Sequence, residues 1–96
     1  MAYEPLARQL GLPIADIEKV LSLDVTVDGA DEVTPTLDLI KGLGGALLRE
    51  KIIAQNSQQL VIIVDESKRV QKLGEKSPLP VEVLPYAHEI HAPFLR

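Results

Sequence analysis

Apolar positions at Leu6 and Leu10, and then at Ile14, Ile17, Val20 and Leu21, recur at close to the 3.6-residue spacing of a helix. Residues 4–21 therefore predict short helical pieces. Gly11-Leu12-Pro13 divides them, because glycine ends helices and the residue before a proline is kept out of the α region. Asp16 and Glu18 suit a helix start, where negative charge meets the positive end of the dipole. Leu23-Asp24-Val25-Thr26-Val27-Asp28 alternates strictly and predicts a strand with Leu23, Val25 and Val27 on one face. Gly29 ends it, and residues 29–36, with Asp31, Glu32, Thr34 and Pro35, read as a polar turn. Leu37–Ile40 is a second short strand candidate. Ala46–Gln55 is rich in helix formers, with Glu50 and Lys51 well inside it. Leu48 and Ile52 share one face of that helix, and Ala46, Glu50 and Ala54 another. The continuous aliphatic run Leu60–Val64 predicts a strand buried on both faces, as in parallel sheets. Val70–Ser77 reads as a polar loop. Val81–Leu84 reads as a short strand fenced by prolines, and the chain from Tyr86 as one or two helical turns before Pro93. Strand, helix and strand in that order predict a βαβ unit in an α/β sheet. No internal repeat or low-complexity segment is present.

Length and composition narrow the classes. At 96 residues the chain is a single small domain with a modest core. It is 46% hydrophobic and 25% charged, an average globular composition that excludes a disordered tail, a collagen-like repeat and a coiled coil. Aromatic residues make up only 3% (Tyr3, Tyr86, Phe94), so the core must be aliphatic and little is available to stack on bases. With a net charge of −4 and no dominant basic patch, duplex nucleic acid is not an expected partner. The absence of cysteine excludes a disulfide framework, a thiolate zinc site and cysteine catalysis. Met1-Ala-Tyr-Glu-Pro5 is no signal peptide, and Leu60–Val64 is too short to span a bilayer. The expected address is cytoplasmic, with no membrane association.

Three polar clusters each follow a predicted strand: Asp28–Glu32, Lys41–Gly45 and Asp65–Lys68. Ligands of open α/β sheets bind outside the carboxyl ends of the strands. If the three strands run parallel, the clusters meet on one edge and could hold a small anionic ligand. Gly42, Gly44 and Gly45 open a helix and read either as a close-approach loop offering amides to an anion or as a plain loop and helix start. No Gly-Lys-Ser/Thr closes a Walker A loop, and the run does not match Gly-x-Gly-x-x-Gly. Asp28 and Asp31 read equally as turn or cap residues. An EF-hand loop starting at Asp24 is rejected, since Pro35 would stand where the closing glutamate belongs. Arg49-Glu50-Lys51 on charge pattern alone is a solvated helix face, and Lys68 an ordinary loop lysine. His88 and His91 could share a helical face but lack a third ligand, so no metal site is expected. Ser67 lacks a nucleophile-elbow context, which excludes a serine triad.

Taken together, Asp28-Gly-Ala-Asp-Glu-Val33, Leu39-Ile-Lys41-Gly-Leu-Gly-Gly-Ala46-Leu-Leu-Arg-Glu50-Lys-Ile52, Val64-Asp-Glu-Ser-Lys68, Leu73-Gly74 and Pro78-Leu-Pro-Val-Glu-Val-Leu-Pro85 closely resemble type A ribose-5-phosphate isomerase. The blocks are ordered and spaced as in that family, from about residue 4 to about residue 87. The resemblance implies a Rossmann-like α/β fold, a partial parallel sheet with flanking helices. It also implies interconversion of ribose 5-phosphate and ribulose 5-phosphate in the non-oxidative pentose phosphate pathway, with no metal or organic cofactor. By matching position, Glu50 is the general base that moves a proton between C1 and C2 through a cis-enediolate. Lys41, with the amides of Gly42, Gly44 and Gly45, stabilises the enediolate charge. Asp28 and Asp31 assist ring opening and hold hydroxyls, and Lys68 contacts substrate near its phosphate. A placed base and fixed positive dipoles are what removal of a proton next to a carbonyl requires. The expected partners are a small-molecule sugar phosphate and a second copy of the chain in a homo-oligomer.

The resemblance also implies departures. The family's Gly-Thr-Gly-Ser-Thr-type phosphate loop and its C-terminal subdomain lie outside the resembling blocks, and His88–Arg96 does not continue the pattern. Leu43 stands where the family usually has glycine and is expected to crowd the loop. The alternative function is a catalytically silent fragment or remnant that binds sugar phosphate or serves as an interaction module. Such a chain should expose an apolar strand edge and self-associate.

Overall fold

A computed structural model describes residues 4–20 and 22–95. Contacts divide the chain into two compact units, one from Met1–Asp28 with Leu47–Ile63, the other from Gly29–Ala46 with Val64–Arg96.

In the first unit, α1 (Glu4–Gln9) carries an exposed Glu4–Arg8 ion pair of 2.8 Å one turn apart. It ends at the predicted break: the Gly11 amide donates to the Arg8 carbonyl and the Leu12 amide to the Ala7 carbonyl, the paired bonds of a Schellman stop. A 3-10 turn, Ile17–Lys19, follows, with the Asp16 side chain accepting from the Glu18 amide at 3.0 Å. The predicted helical position Leu21 lies outside the described residues. Strand β1 (Leu23–Asp28) forms where the alternation predicts it. It pairs in parallel with β4 (Ser57–Ile62), from Leu23 opposite Ser57 to Asp28 opposite Ile62. The helix between them, α2 (Leu48–Gln55), packs on both strands, so the βαβ expectation holds here.

Two expectations about this unit are corrected. Strand β4 begins earlier than the aliphatic run, because the Leu23 amide already bonds the Asn56 carbonyl at 2.9 Å and draws Ser57–Gln59 into the ladder. Nor is the run buried on both faces: Leu60 is 43% and Ile63 65% exposed. On β1, Val25 and Val27 are likewise open, at 49% and 58% exposed. One helix on a two-stranded ladder cannot cover both faces, and parallel strands reach full burial only when both are covered.

The second unit departs further from expectation. The predicted polar turn at 29–36 contains a strand, β2 (Glu32–Val33), and the second strand narrows to β3 (Leu39–Ile40). The two pair antiparallel, Glu32 opposite Ile40 and Val33 opposite Leu39, in a sheet separate from β1–β4. The second predicted strand therefore forms a hairpin with β2 and does not join the β1–β4 ladder. The physical reason is loop length. Residues 34–38 suffice for a hairpin, whereas a parallel return needs a crossover of about a dozen residues or more. The hairpin is closed by the Thr34 amide on the Asp38 carbonyl, 3.0 Å, and by the Asp38 amide on the Thr34 hydroxyl, also 3.0 Å.

Val33 bridges Arg69 in parallel, and the Val70 amide donates to the Val33 carbonyl at 2.9 Å. Ile40 and Val70 are the buried apolar residues of this unit, joined by buried Glu32 and Thr34. Glu66–Lys68 forms a 3-10 turn. Val70–Ser77 is a loop, as predicted. Val81–Leu84 forms no strand: its four residues carry amides, but no strand among the described residues pairs with them. The C-terminal 3-10 stretch, His88–Leu95, runs through Pro93 rather than stopping before it.

Candidate active site

The chemistry-bearing residues divide between the two units. In the second unit, the end of the β2–β3 hairpin brings together Asp31, Lys41 and the glycine loop. The Asp31 carboxylate accepts the Leu43 amide at 3.0 Å, and the Lys41 ammonium donates to the Gly29 carbonyl. The Gly45 amide closes a turn onto the Gly42 carbonyl at 2.9 Å. Gly42 and Gly45 have φ of +87° and +86°, which an L-residue adopts only with strain. Leu43 does not crowd the loop as expected: its side chain is half exposed, its φ is not positive, and its amide faces Asp31.

The glycine run does not lead straight into the helix. Ala46 and Leu47 intervene before α2 starts at Leu48. The expected face shared by Ala46, Glu50 and Ala54 is accordingly corrected, because Ala46 is outside the helix. Glu50 sits in the first helical turn rather than well inside.

Lys68 lies in the turn capped by Asp65, whose carboxylate accepts the Ser67 amide at 2.8 Å and the Ser67 hydroxyl. The Ser67 hydroxyl and amide hold the Asp65 carboxyl below its ordinary pKa. They outweigh burial, and Lys68 and Lys76 add to the effect. The Val33–Arg69 bridge fixes this turn beside the hairpin. In the first unit, Asp28 ends β1 and its carbonyl accepts the Ile63 amide at 2.8 Å, while Glu50 is half-buried on α2.

Asp28, Asp31, Lys41, Gly42, Glu50 and Lys68 are all partly shielded, whereas Gly44 and Gly45 are exposed. This is the reverse of the usual distribution, since large aliphatic side chains of the same chain are open. A cleft of about 840 Å³, between α1, residues 14–18 and α2, contains none of these candidates. Among the described residues no helix is long and apolar enough to cross a membrane.

Sequence reasoning placed Glu32 in the polar turn, at the end of the Asp28–Glu32 cluster, and gave it no role of its own. It is the most deeply buried side chain described. Its carboxylate accepts the amides of Gly74 at 2.7 Å, Lys76 at 2.5 Å and Ser77 at 2.8 Å. Burial alone would raise its pKa. The amides, aided by the Lys76 charge, reverse that and hold the carboxyl below its ordinary value. The signal available in the sequence was the place of Glu32 directly before Val33-Thr34, an alternation too short to count as a strand.

Comparison with known proteins bears on all of these residues at once. Residues 1–96 match the family model described as ribose 5-phosphate isomerase A (phosphoriboisomerase A). The chain is 56% identical over 81 residues to ribose-5-phosphate isomerase A of Roseiflexus castenholzii, covering 84% of this chain and 35% of that protein. It superposes on ribose 5-phosphate isomerase A from Methanocaldococcus jannaschii with a TM-score of 0.87 and 44% identity, over 99% of this chain and 42% of the other. A D-ribose-5-phosphate isomerase solved in complex with phospho-erythronic acid gives 0.88 and 46%, over 96% and 40%. The chain thus spans well under half the length of these relatives. Its fold is the α/β fold of those structures, and it belongs to the ribose 5-phosphate isomerase A family.

Proposed function

We propose that this chain carries the proton-transfer machinery for interconverting ribose 5-phosphate and ribulose 5-phosphate. The observation that supports the reading most directly is the match to the isomerase family along residues 1–96. The cluster of Asp31, Lys41 and the glycine turn has the chemistry that the reaction asks for. Asp28 and Asp31 assist opening of the furanose ring by moving a proton from the anomeric hydroxyl toward the ring oxygen. Glu50 then takes the C2 proton of the aldose and returns it to C1, with a cis-enediolate between the two steps. The charge developing on the carbonyl oxygen is met by the Lys41 ammonium and by amides of Gly42, Gly44 and Gly45. Lys68 contacts the substrate toward its phosphate. Each step is acid–base chemistry of side chains and amides, in keeping with a family that uses no cofactor. We place the reaction in the cytoplasm, in the non-oxidative pentose phosphate pathway, and expect a homo-oligomer.

The test is turnover of ribose 5-phosphate by the purified chain and by Glu50→Gln. A positioned general base contributes about 10²–10⁴-fold, so the variant should lose that much in kcat with little change in binding. Binding of phospho-erythronic acid without turnover in either protein would replace the isomerase reading with that of a sugar-phosphate-binding module.

A further inference from the structure

We propose that Glu32 is a positioning residue for the sugar-phosphate site: its buried carboxylate clamps the hairpin that carries Asp31 and Lys41 to the loop that follows Lys68. The inference rests on the functional reading above only for what the site binds. The clamp itself stands on geometry within the second unit.

Glu32 occupies the centre of that framework. Its backbone pairs with Ile40, and the Asp31 amide bonds the Ile40 carbonyl at 2.8 Å. Asp31 is therefore the residue before Glu32, and Lys41 the residue after its partner. The carboxylate leaves the hairpin and receives the amides of Gly74, Lys76 and Ser77. The same loop is tied back at its other end, where Val33 bridges Arg69 and accepts the Val70 amide. Lys76 closes the ring by donating from its ammonium to the carbonyl of Ser67 at 2.9 Å. Ser67 and Arg69 flank Lys68. Two adjacent residues of β2 thus hold both ends of the segment that starts at Lys68.

A hydrophobic side chain at position 32 would fill space but could not satisfy converging amides, and a buried donor left unmet is costly. A neutral amide side chain would turn an NH2 group toward at least one of those donors. A charged acceptor is the group that fits this position, and its length sets the distance between loop and hairpin. Geometry of this kind matters for a site because small displacements of binding groups carry large penalties.

The experiment uses the ¹⁵N,¹³C-labelled chain with Glu32→Gln and Glu32→Asp. Amide exchange is followed at Gly74, Lys76 and Ser77, and also at Asp31 and Leu43. The Lys41 ε-carbon resonance and the affinity for phospho-erythronic acid are measured on the same samples. The expected result in Glu32→Gln is faster exchange at both sets of amides and a displaced Lys41 resonance. Affinity should fall by about tenfold, the equivalent of roughly one charged hydrogen bond misplaced. Glu32→Asp, which keeps the charge, should recover part of each. The Ile63 amide reports whether the first unit is folded, and the Thr34 amide, bonded to the Asp38 carbonyl in the hairpin, whether the second is. Should Glu32→Gln fail to fold, Glu32→Asp against wild type decides by the same readouts. Loosening confined to residues 74–77, with Asp31, Leu43 and Lys41 unchanged, overturns the proposal and leaves Glu32 a local loop staple. Wild-type chain that fails to bind phospho-erythronic acid would defeat the functional reading instead, while the exchange and Lys41 data would still decide the clamp.

Discussion

The two units reach stability by opposite means. The first follows the hydrophobic pattern closely in where its elements form, yet leaves the apolar residues in the open: Val25 is 49%, Val27 58% and Leu60 43% exposed. Its order comes from a parallel ladder and a helix laid across it. The second unit has short strands and loops that the pattern mostly missed, yet it holds the residues that are buried among those described, Ile40, Val70, Glu32 and Thr34. Half of that core is polar, and it is satisfied by named hydrogen bonds. Regular secondary structure and burial are therefore separate achievements in this chain. The residues assigned to charge stabilisation and phosphate contact, Lys41 and Lys68, lie in the unit organised by hydrogen bonds.

The largest expected effect tests that contrast directly. Ile40→Ala removes a buried side chain from the second unit and should cost about 2–5 kcal/mol. Val27→Thr, on the open face of β1, keeps the β-branch and should stay within about 0.5 kcal/mol. Residue-resolved amide exchange with denaturant would measure both. Equal costs would mean that the face of β1 is covered in solution, as self-association through that face would require. In that case Val27→Thr should also lower the oligomeric state seen by sedimentation.

Acid should separate the units next. Glu32 and Asp65 both have carboxyls held below their ordinary values, and both belong to the second unit. The group facing Glu32 with charge is Lys76, while Asp65 is faced by Lys68 and Lys76. A carboxyl whose folded pKa is depressed contributes stability that is fully present above its unfolded value, about 4 for these groups. That contribution is lost as pH falls through the lower folded value. Protection at Gly74, Lys76 and Ser77 should therefore fade as pH drops below about 4. The depressed group in the first unit is Glu4, lowered by the Arg8 hydrogen bond and charge, in an exposed pair one helical turn apart. Salt screens such a pair, so added salt should blunt acid sensitivity there and leave it nearly intact around Glu32. Simultaneous loss of amide protection in both units at every salt concentration would show that they unfold as one.

How far the sequence could be read follows the same division. β1 was legible from its period-two alternation, α2 from its run of helix formers, and the parallel partner of β1, apart from its start, from the continuous aliphatic run. The candidate site residues stood out through ordered motif blocks rather than through pattern; in the structure the Asp31 carboxylate accepts the Leu43 amide of the glycine turn, and the Lys41 ammonium donates to the Gly29 carbonyl. What was not legible was the direction of β3 and the clamp at Glu32. A hairpin of two-residue strands leaves no periodic trace. Glu32 reaches partners at Gly74, Lys76 and Ser77 that are distant in sequence, and the partners are backbone amides, which any residue supplies. Burial on both faces of Leu60–Val64 failed for another reason. The run states what the strand would accept as cover, and a single crossover helix supplies it on one side.

The smallest effects lie in the glycine turn, the part of the second unit that is exposed rather than buried. Gly45 has φ of +86°, so Gly45→Ala forces a left-handed alanine and should cost about 1–2 kcal/mol. Gly44 has no positive φ, and a Cβ there would meet nothing within 4 Å. On local grounds, Gly44→Ala should change stability by less than about 0.5 kcal/mol. The pair therefore separates two reasons for a glycine. If Gly44 is small only because the turn is open, its alanine variant should bind phospho-erythronic acid as wild type does. If the substrate approaches the backbone there, affinity should fall by about tenfold, or about 1.4 kcal/mol, although stability does not move. Thermal melts with and without ligand decide between the two. A ligand-dependent shift in melting temperature that shrinks in Gly44→Ala would assign the exposed turn to substrate contact, with the buried polar core as the framework that holds it in place.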